Sequence, residues 1–323
     1  MPLLRRLRSG LDRLAVAQPP AGVPYSEVLA GADGAQGPRW RSLAVGVIGA
    51  ALGIVLFLVV TPAVELGVLG IGWAVAGQPG SFTEYYRAGH AFQTPLGMVA
   101  AHLGLAMLIP ITVALLVGVH RVHPRWLHSV QPGFRWRYGL VAFGVACVVL
   151  NGVMLVSQPA TLGALRPQPG FWGFLVAILL TSPLQAAAEE YFFRGYLMQA
   201  LQPGLRSPWF GVVASALVFA LFHGTQNLPL FLDRFGFGLL AGVLVVRTGG
   251  LEAGIAAHVA NNIFAFTWAG LTSTIATVRA TQVIGWVEAA WDLAGFALYA
   301  LAAVWVGRRM HLATTTPGVR QVG

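Results

Sequence analysis

The sequence predicts an all-α fold, a polytopic membrane helical bundle with about eight transmembrane helices. Of its 323 residues, 56% are hydrophobic and 10% are charged, and the mean hydropathy is +0.70. Soluble domains carry roughly a quarter charged residues. Because a spanning helix needs roughly 20 apolar residues, the recurring apolar runs of this chain place it in the membrane class.

Eight apolar runs carry this prediction. Their approximate limits are 42–64, 96–119, 138–157, 171–200, 209–224, 228–246, 251–270 and 286–306. We divide the chain into a cytoplasmic basic N-terminal segment (1–41), N-terminal transmembrane helices (42–165), a helical core (166–270), and a last transmembrane helix with a cytoplasmic tail (271–323). Leucines at helical spacing between arginines in the first 14 residues predict a helix on the membrane surface or, equally, a disordered basic tail.

The charge pattern sets the orientation and argues against nucleic acid as a partner. The net charge is +9, and all 20 basic residues are arginines. Because the arginines fall between apolar runs, we interpret them as topology signals. Fifteen lie in segments on the side of the N-terminus, four on the other side, and Arg194 within a span. We therefore expect an integral protein of the plasma membrane, in contact with lipids, with both termini cytoplasmic. The single cysteine, Cys147, excludes an intrachain disulfide.

The fourth run contains two carboxylates and an arginine, which are costly inside a bilayer. Glu190 and Arg194 are four residues apart, with the acid first, which is the better order for a helical ion pair. Glu189 points about a hundred degrees away on the same helix and has no such partner. An unpaired buried carboxylate suits a general base or acid. A purely structural Glu190–Arg194 pair is the alternative, although it leaves Glu189 unexplained.

Three further polar residues lie in the fifth and seventh runs. His223 ends the motif that begins at Phe219, and His258 and Asn262 share one face of a helix. Each could be a packing or interhelical hydrogen-bonding residue when taken alone. At about 1.5 Å per residue, Glu189, His223, His258 and Asn262 lie roughly 16, 21, 12 and 18 Å from the cytoplasmic ends of their spans. This shared middle depth favours a single site.

The motifs Glu-Glu-x-x-x-Arg (189–194), Phe-x-x-x-His (219–223) and His-x-x-x-Asn (258–262) resemble those of the CPBP intramembrane protease family. This family comprises CAAX prenyl endopeptidases and bacteriocin-processing or bacteriocin-immunity proteins, and is also called Abi. All three motifs occur in the family's order, each on a predicted span. The resemblance covers about residues 171–270 and makes the 166–270 core a CPBP-like catalytic core.

The resemblance implies an intramembrane endopeptidase of the glutamate type that acts on a membrane-associated peptide or protein. By position, Glu189 would activate water, and His223 would help to hold that water. His258 and Asn262 would stabilise the oxyanion, with Glu190, Arg194 and Phe219 supporting them. We expect no cofactor. The rival is zinc held by Glu189, His223 and His258, because a His2Glu set leaves an open position for water.

Two other function classes compete with this interpretation. A non-proteolytic immunity factor or scaffold would retain the same residues without catalysis. A proton-coupled transporter would use the carboxylates as a relay, but we find no internal repeat of the kind such folds show. The sequence does not identify the substrate or whether it is prenylated.

Overall fold

The computed structural model describes residues 18–32, 39–202 and 207–317, so the predicted surface helix within residues 1–14 lies outside the described residues. The helices are α1 (Val28–Ala32), α2 (Arg39–Val75), α3 (Phe82–His90), α4 (Pro95–Ala106), α5 (Leu108–Gly118), α6 (Trp136–Ser157), α7 (Phe171–Glu190), α8 (Pro208–Leu221), α9 (Leu228–Thr248), α10 (Glu252–Thr272), α11 (Ile275–Ala280) and α12 (Trp286–Arg309). The described residues contain no strand beyond two isolated bridges, which confirms the all-α prediction.

Each of the eight predicted runs lies on a helix or a pair of consecutive helices. Six are long and apolar enough to span a membrane: Trp40–Val75, Pro95–Gly118, Trp136–Ser157, Phe171–Ala200, Leu228–Thr248 and Trp286–Arg309. The other two are α8, which has only 14 residues, and α10, whose polar residues lower its hydropathy. Both exceptions carry residues of the candidate site.

The first long helix extends further than its apolar run suggests. The run was expected to end near residue 64, yet α2 continues through Glu65 to Val75. Glu65 is buried, and its Oε1 lies 2.8 Å from Nδ1 of His90 at the end of α3. A tertiary partner therefore accommodates the charge that ends the apolar run in the sequence.

Both described ends of the chain meet on one face of the bundle. The amide of Gly22 donates to the carbonyl of Thr316 (3.0 Å), and the amide of Thr316 donates to the carbonyl of Val23 (2.9 Å). We call this face, formed by residues 18–32, 119–135 and 310–317, the termini face. The connections 158–170, 222–227 and 273–285 form the opposite face.

The helix that carries the two glutamates is central and closely packed. After Glu190 the chain of α7 continues without a break as a π-helix, Tyr191–Leu197, and a last turn, Met198–Ala200. A Cβ added at Gly46 would overlap the carbonyl oxygen of Ala200, so α2 crosses this last turn in direct backbone contact.

An ion pair fixes the start of α10. Arg135 donates to both carboxylate oxygens of Glu252, at 2.8 and 2.6 Å, and also to the carbonyl of Thr248 at 2.9 Å. Glu252 is fully buried in the first turn of the helix, where a carboxylate interacts favourably with the helix dipole. This clamp sets the height of α10, and hence of His258 and Asn262, in the bundle.

Candidate functional site

The centre of the site is the ion pair predicted from helical spacing. Nη1 of Arg194 donates to Oε1 of Glu190 at 3.0 Å, and both side chains are fully buried. Arg194 lies in the π-helical stretch that follows Glu190; such stretches often occur at functional sites. The sequence-based prediction that Arg194 pairs with Glu190 therefore matches the geometry.

Aromatic rings enclose the guanidinium of Arg194. Its central carbon lies 4.3 Å from the ring centre of Phe219 and 5.5 Å from that of Phe237. A cation over a ring face in a dry environment gains about 2 kcal/mol, which offsets part of the cost of burying the charge. Phe219 thus supports the site through Arg194, and Phe237 does the same from α9.

Two glycines allow neighbouring helices to approach this ion pair. A Cβ at Gly254 of α10 would lie 3.1 Å from Oε2 of Glu190, and one at Gly238 of α9 would lie 2.9 Å from Cβ of Ala216 and 3.3 Å from Nη2 of Arg194. In the described part of the chain, Oε2 of Glu190 and Nη2 of Arg194 are buried without hydrogen-bond partners. The pair is therefore enclosed by backbone at close range.

The ring of His258 joins the two glutamates. Its Nδ1 lies 2.9 Å from Oε1 of Glu190, and its Nε2 lies 3.5 Å from Oε2 of Glu189. A carboxylate paired with Arg194 accepts hydrogen bonds, so we assign the proton of the neutral ring to Nδ1. Nε2 then carries the lone pair of the ring and lies on the side of Glu189.

Glu189 forms no ion pair with an arginine of its own helix, as its position on that helix predicted. It is 8% exposed, whereas Glu190 is completely buried. Besides His258, its partner is the side chain of Gln185, one turn earlier on the same helix. Oε1 of Gln185 accepts from Nδ2 of Asn262 at 2.8 Å. Gln185 therefore connects the candidate base on α7 with the candidate oxyanion residue on α10.

His223 lies just beyond the end of α8 and is held by its own helix. Its Nδ1 donates to the carbonyl of Phe219 at 2.8 Å, because a carbonyl only accepts. Nε2 of the neutral ring is then an acceptor. In contrast to Glu189 and His258, His223 is exposed. The ring of Phe219 lies between the two histidines, with centre distances of 4.5 Å to His223 and 6.1 Å to His258.

The donors of the zinc alternative do not converge. Across residues 18–32, 39–202 and 207–317, no group of three or more His, Cys, Asp or Glu side chains is arranged to hold a metal ion. Nε2 of His258 lies near Glu189, but His223 does not join these two donors in a three-member group, and its Nδ1 bonds the carbonyl of Phe219. As arranged here, Glu189, His223 and His258 do not fit a zinc shell.

Sequence reasoning missed two residues of the site. Gln185 precedes Glu189 by four residues, and this spacing could have identified it as a neighbour on the same helix face. Phe237 contacts both Arg194 and His258, with 5.1 Å between the ring centres of Phe237 and His258 in an edge-to-face arrangement. A phenylalanine in an apolar helix gives no signal of that kind.

Comparison with known proteins agrees with the motifs. Residues 171–264 match the family described as type II CAAX prenyl endopeptidase Rce1-like. The match contains Glu189, His223, His258 and Asn262, and it confirms the resemblance drawn from the three motifs. It covers less than half of the chain, so it concerns the core and not the first three spans.

A curated relative extends the similarity without naming an activity. The chain is 27% identical over 139 residues to "Uncharacterized protein YyaK" of Bacillus subtilis (strain 168). The alignment covers 40% of this chain and 46% of that protein, so the chain spans about half the length of this relative. No solved structure matches the chain.

Proposed function

We propose that this chain, whose core matches the type II CAAX prenyl endopeptidases, is an intramembrane endopeptidase that hydrolyses a peptide bond with water activated by Glu189. The observation that supports this most directly is the division of labour between the two acids. Oε1 of Glu190 accepts from both Arg194 and His258. Within the described residues no arginine forms a direct ion pair with Glu189, and its carboxylate remains available to take a proton from water.

The first step is attack by water on the scissile carbonyl. Glu189 takes one proton, the water oxygen bonds to the carbonyl carbon, and the carbonyl oxygen becomes the oxyanion. Nε2 of His258, 3.5 Å from Glu189, can receive that proton. The ring is then an imidazolium whose Nδ1–H remains bonded to Glu190. Its Nε2–H can donate to the oxyanion, the role expected of His258 from the family resemblance.

In the second step the tetrahedral intermediate collapses. The C–N bond breaks, the leaving nitrogen takes the proton from His258, and Glu189 and His258 regain their starting states. Asn262 donates one amide hydrogen to Gln185, and its second can stabilise the oxyanion. The lone pair on Nε2 of His223 can orient the attacking water. The reaction consumes one water and yields a carboxylic acid and an amine.

Substitution of Glu189 in its native membrane tests this proposal. Membrane and exported peptides would be compared by mass spectrometry between the wild type and the Glu189→Gln variant. The exposed Glu84, which interacts with Ser81, provides a matched control as Glu84→Gln. We expect at least one uncleaved peptide to accumulate in Glu189→Gln alone. If cleavage persists, Glu189 is not the base; if no precursor accumulates in any variant, the non-proteolytic immunity or scaffold role takes the place of the protease.

A further inference from the structure

The side from which the site can be reached follows from the burial of its surroundings. Toward the termini face, Glu189 is backed by layers of side chains that are no more than 3% exposed. They are Phe193, Arg194, Tyr196, Leu197, Leu127 and Tyr25. The hydroxyl of Tyr25 also bonds the carbonyl of Leu127, which ties the N-terminal segment onto the connection between α5 and α6.

Toward the opposite face, exposure rises step by step. Gln185 is buried at 5% exposed, Asn262 is partly buried, and His223 and Thr225 are exposed. Arg234 of α9 borders this side and is itself partly buried. Its Nη1 donates to Oε1 of Gln226 at 3.0 Å and to the carbonyl of His223 at 3.4 Å. Polar groups of increasing exposure therefore lie between Glu189 and this face.

The length of α8 explains why the series is exposed. Its 14 residues span about 21 Å, which is less than the roughly 30 Å of the hydrocarbon core. The helix therefore ends within the bundle, and residues 222–227 carry the chain on to the opposite face, where Asn227 bonds Gln282 and Ile284. Histidine, glutamine and arginine side chains at that depth face protein or water rather than lipid. An opening to water beside residues 222–227 would satisfy this requirement.

We infer that the catalytic cluster is open to water from the face opposite the chain termini, and that a substrate reaches it from that face. The entry of a substrate through this opening rests on the proposed function, whereas the opening itself does not.

The distribution of arginines indicates which face of the bundle is cytoplasmic. On the termini face the structure describes Arg39, Arg41, Arg121, Arg125, Arg135, Arg137, Arg247, Arg308 and Arg309, and on the opposite face Arg87, Arg166, Arg234 and Arg279. Such an excess marks the cytoplasmic side. The opening is then extracytoplasmic, and the substrate class is a peptide on or in the outer leaflet rather than a lipidated C-terminus in the cytoplasm.

Accessibility can be measured because the chain has one cysteine, Cys147. In a Cys147→Ala background, three single-cysteine variants would report on three positions. Asn262→Cys reports on the site, Thr225→Cys on the exposed connection 222–227, and Gln131→Cys on the exposed termini face. The probe is a membrane-impermeant methanethiosulfonate with a quaternary ammonium group, applied to intact cells and to inside-out vesicles. Protection from a later maleimide–polyethylene glycol gel shift gives the labelled fraction.

We expect Asn262→Cys and Thr225→Cys to be labelled in intact cells, and Gln131→Cys only in inside-out vesicles. Labelling of Asn262→Cys from the same side as Gln131→Cys would overturn the inference. So would labelling of Asn262→Cys by a membrane-permeant reagent alone, which would indicate entry from the lipid. If Asn262→Cys fails to insert, the neighbouring Asn261→Cys, also partly buried, takes its place. Because the readout needs no cleavage, it is independent of the test with Glu189→Gln.

Discussion

Nε2 of His258 lies 3.5 Å from Oε2 of Glu189, while Nδ1 of the same ring lies 2.9 Å from Glu190. The two adjacent acids, which diverge on their own helix, are thus reconnected through a side chain from α10. With the proton of the neutral ring assigned to Nδ1 beside Glu190, Nε2 is the acceptor that we propose for a proton from Glu189. The sequence predicted Arg194 as the partner of Glu190, and the structure adds His258 as a second partner.

The buried ion pair should dominate the stability of the core. Replacing Arg194 with methionine leaves the charge of Glu190 uncompensated, and we expect a loss of about 3–5 kcal/mol in the free energy of unfolding. Thermal and denaturant unfolding of the detergent-solubilised protein measures this loss. The control Arg166→Met removes an exposed arginine and should change little. The double variant Glu190→Gln/Arg194→Met should recover much of the loss; equal destabilisation by the single and double variants would contradict the explanation.

Gln185 should act as a positioning residue. Gln185→Leu keeps the volume roughly constant but removes the partner of Asn262 and Glu189, so we expect kcat to fall by about 10²-fold, as for the loss of one oxyanion donor. KM should stay within about threefold, because the substrate-binding surface is unchanged. The comparison uses the substrate identified with Glu189→Gln, and Gln282→Leu at an exposed position is the control. A higher KM with unchanged kcat would assign Gln185 to substrate binding instead.

Chelation should leave cleavage intact. We predict no loss of activity after prolonged incubation with 1,10-phenanthroline, because Glu189, His223 and His258 do not form a three-donor group in the part of the chain that the structure describes. A zinc-dependent protease assayed in parallel shows that the chelator is effective. Activity lost with the chelator and restored by added zinc would require Glu189, His223 and His258 to converge in the active state.

The contact between α2 and the turn after α7 should tolerate no side chain. Gly46→Ala would place a methyl group on the carbonyl oxygen of Ala200, and we expect it to cost about 1–3 kcal/mol through overpacking. Gly70→Ala, on the same helix with nothing within 4 Å of the added Cβ, should be neutral or slightly stabilising because alanine favours helix. Equal melting temperatures for the two variants would mean that α2 shifts to accommodate the methyl group.

The helical pattern of the fold was predictable because the hydrophobic period and the length of apolar runs reflect the bilayer directly. The extent of α2 was not, because the sequence shows Glu65 as a charge at the end of an apolar run. Its partner, His90, belongs to another helix. A contact between residues far apart in the chain leaves no pattern in the sequence around either residue. A glutamate with a partner on another helix therefore cannot be distinguished by sequence from one without a partner.

The site was predictable where its geometry is local. The spacing of Glu190 and Arg194 on one helix gave their ion pair, and the shared depth grouped the remaining polar residues. The link from His258 to Glu190, the continuation of α7 as a π-helix, and the contacts of Phe237 all depend on how helices pack. The roles of Glu189, His223, His258 and Asn262 in catalysis stay predictions.

The pairing of Val23 with Thr316 brings the two described ends of the chain together. Neighbouring ends generally permit circular permutation, so a short linker could join residues 18 and 317, and new ends could be opened in the 158–170 connection on the opposite face. Such a rearranged chain would move the first three spans from before the core to after it in order of synthesis. Because the permuted protein still contains those spans, failure of the core to assemble would show that they must be inserted first. Their contribution to the stability of the folded protein would be unchanged.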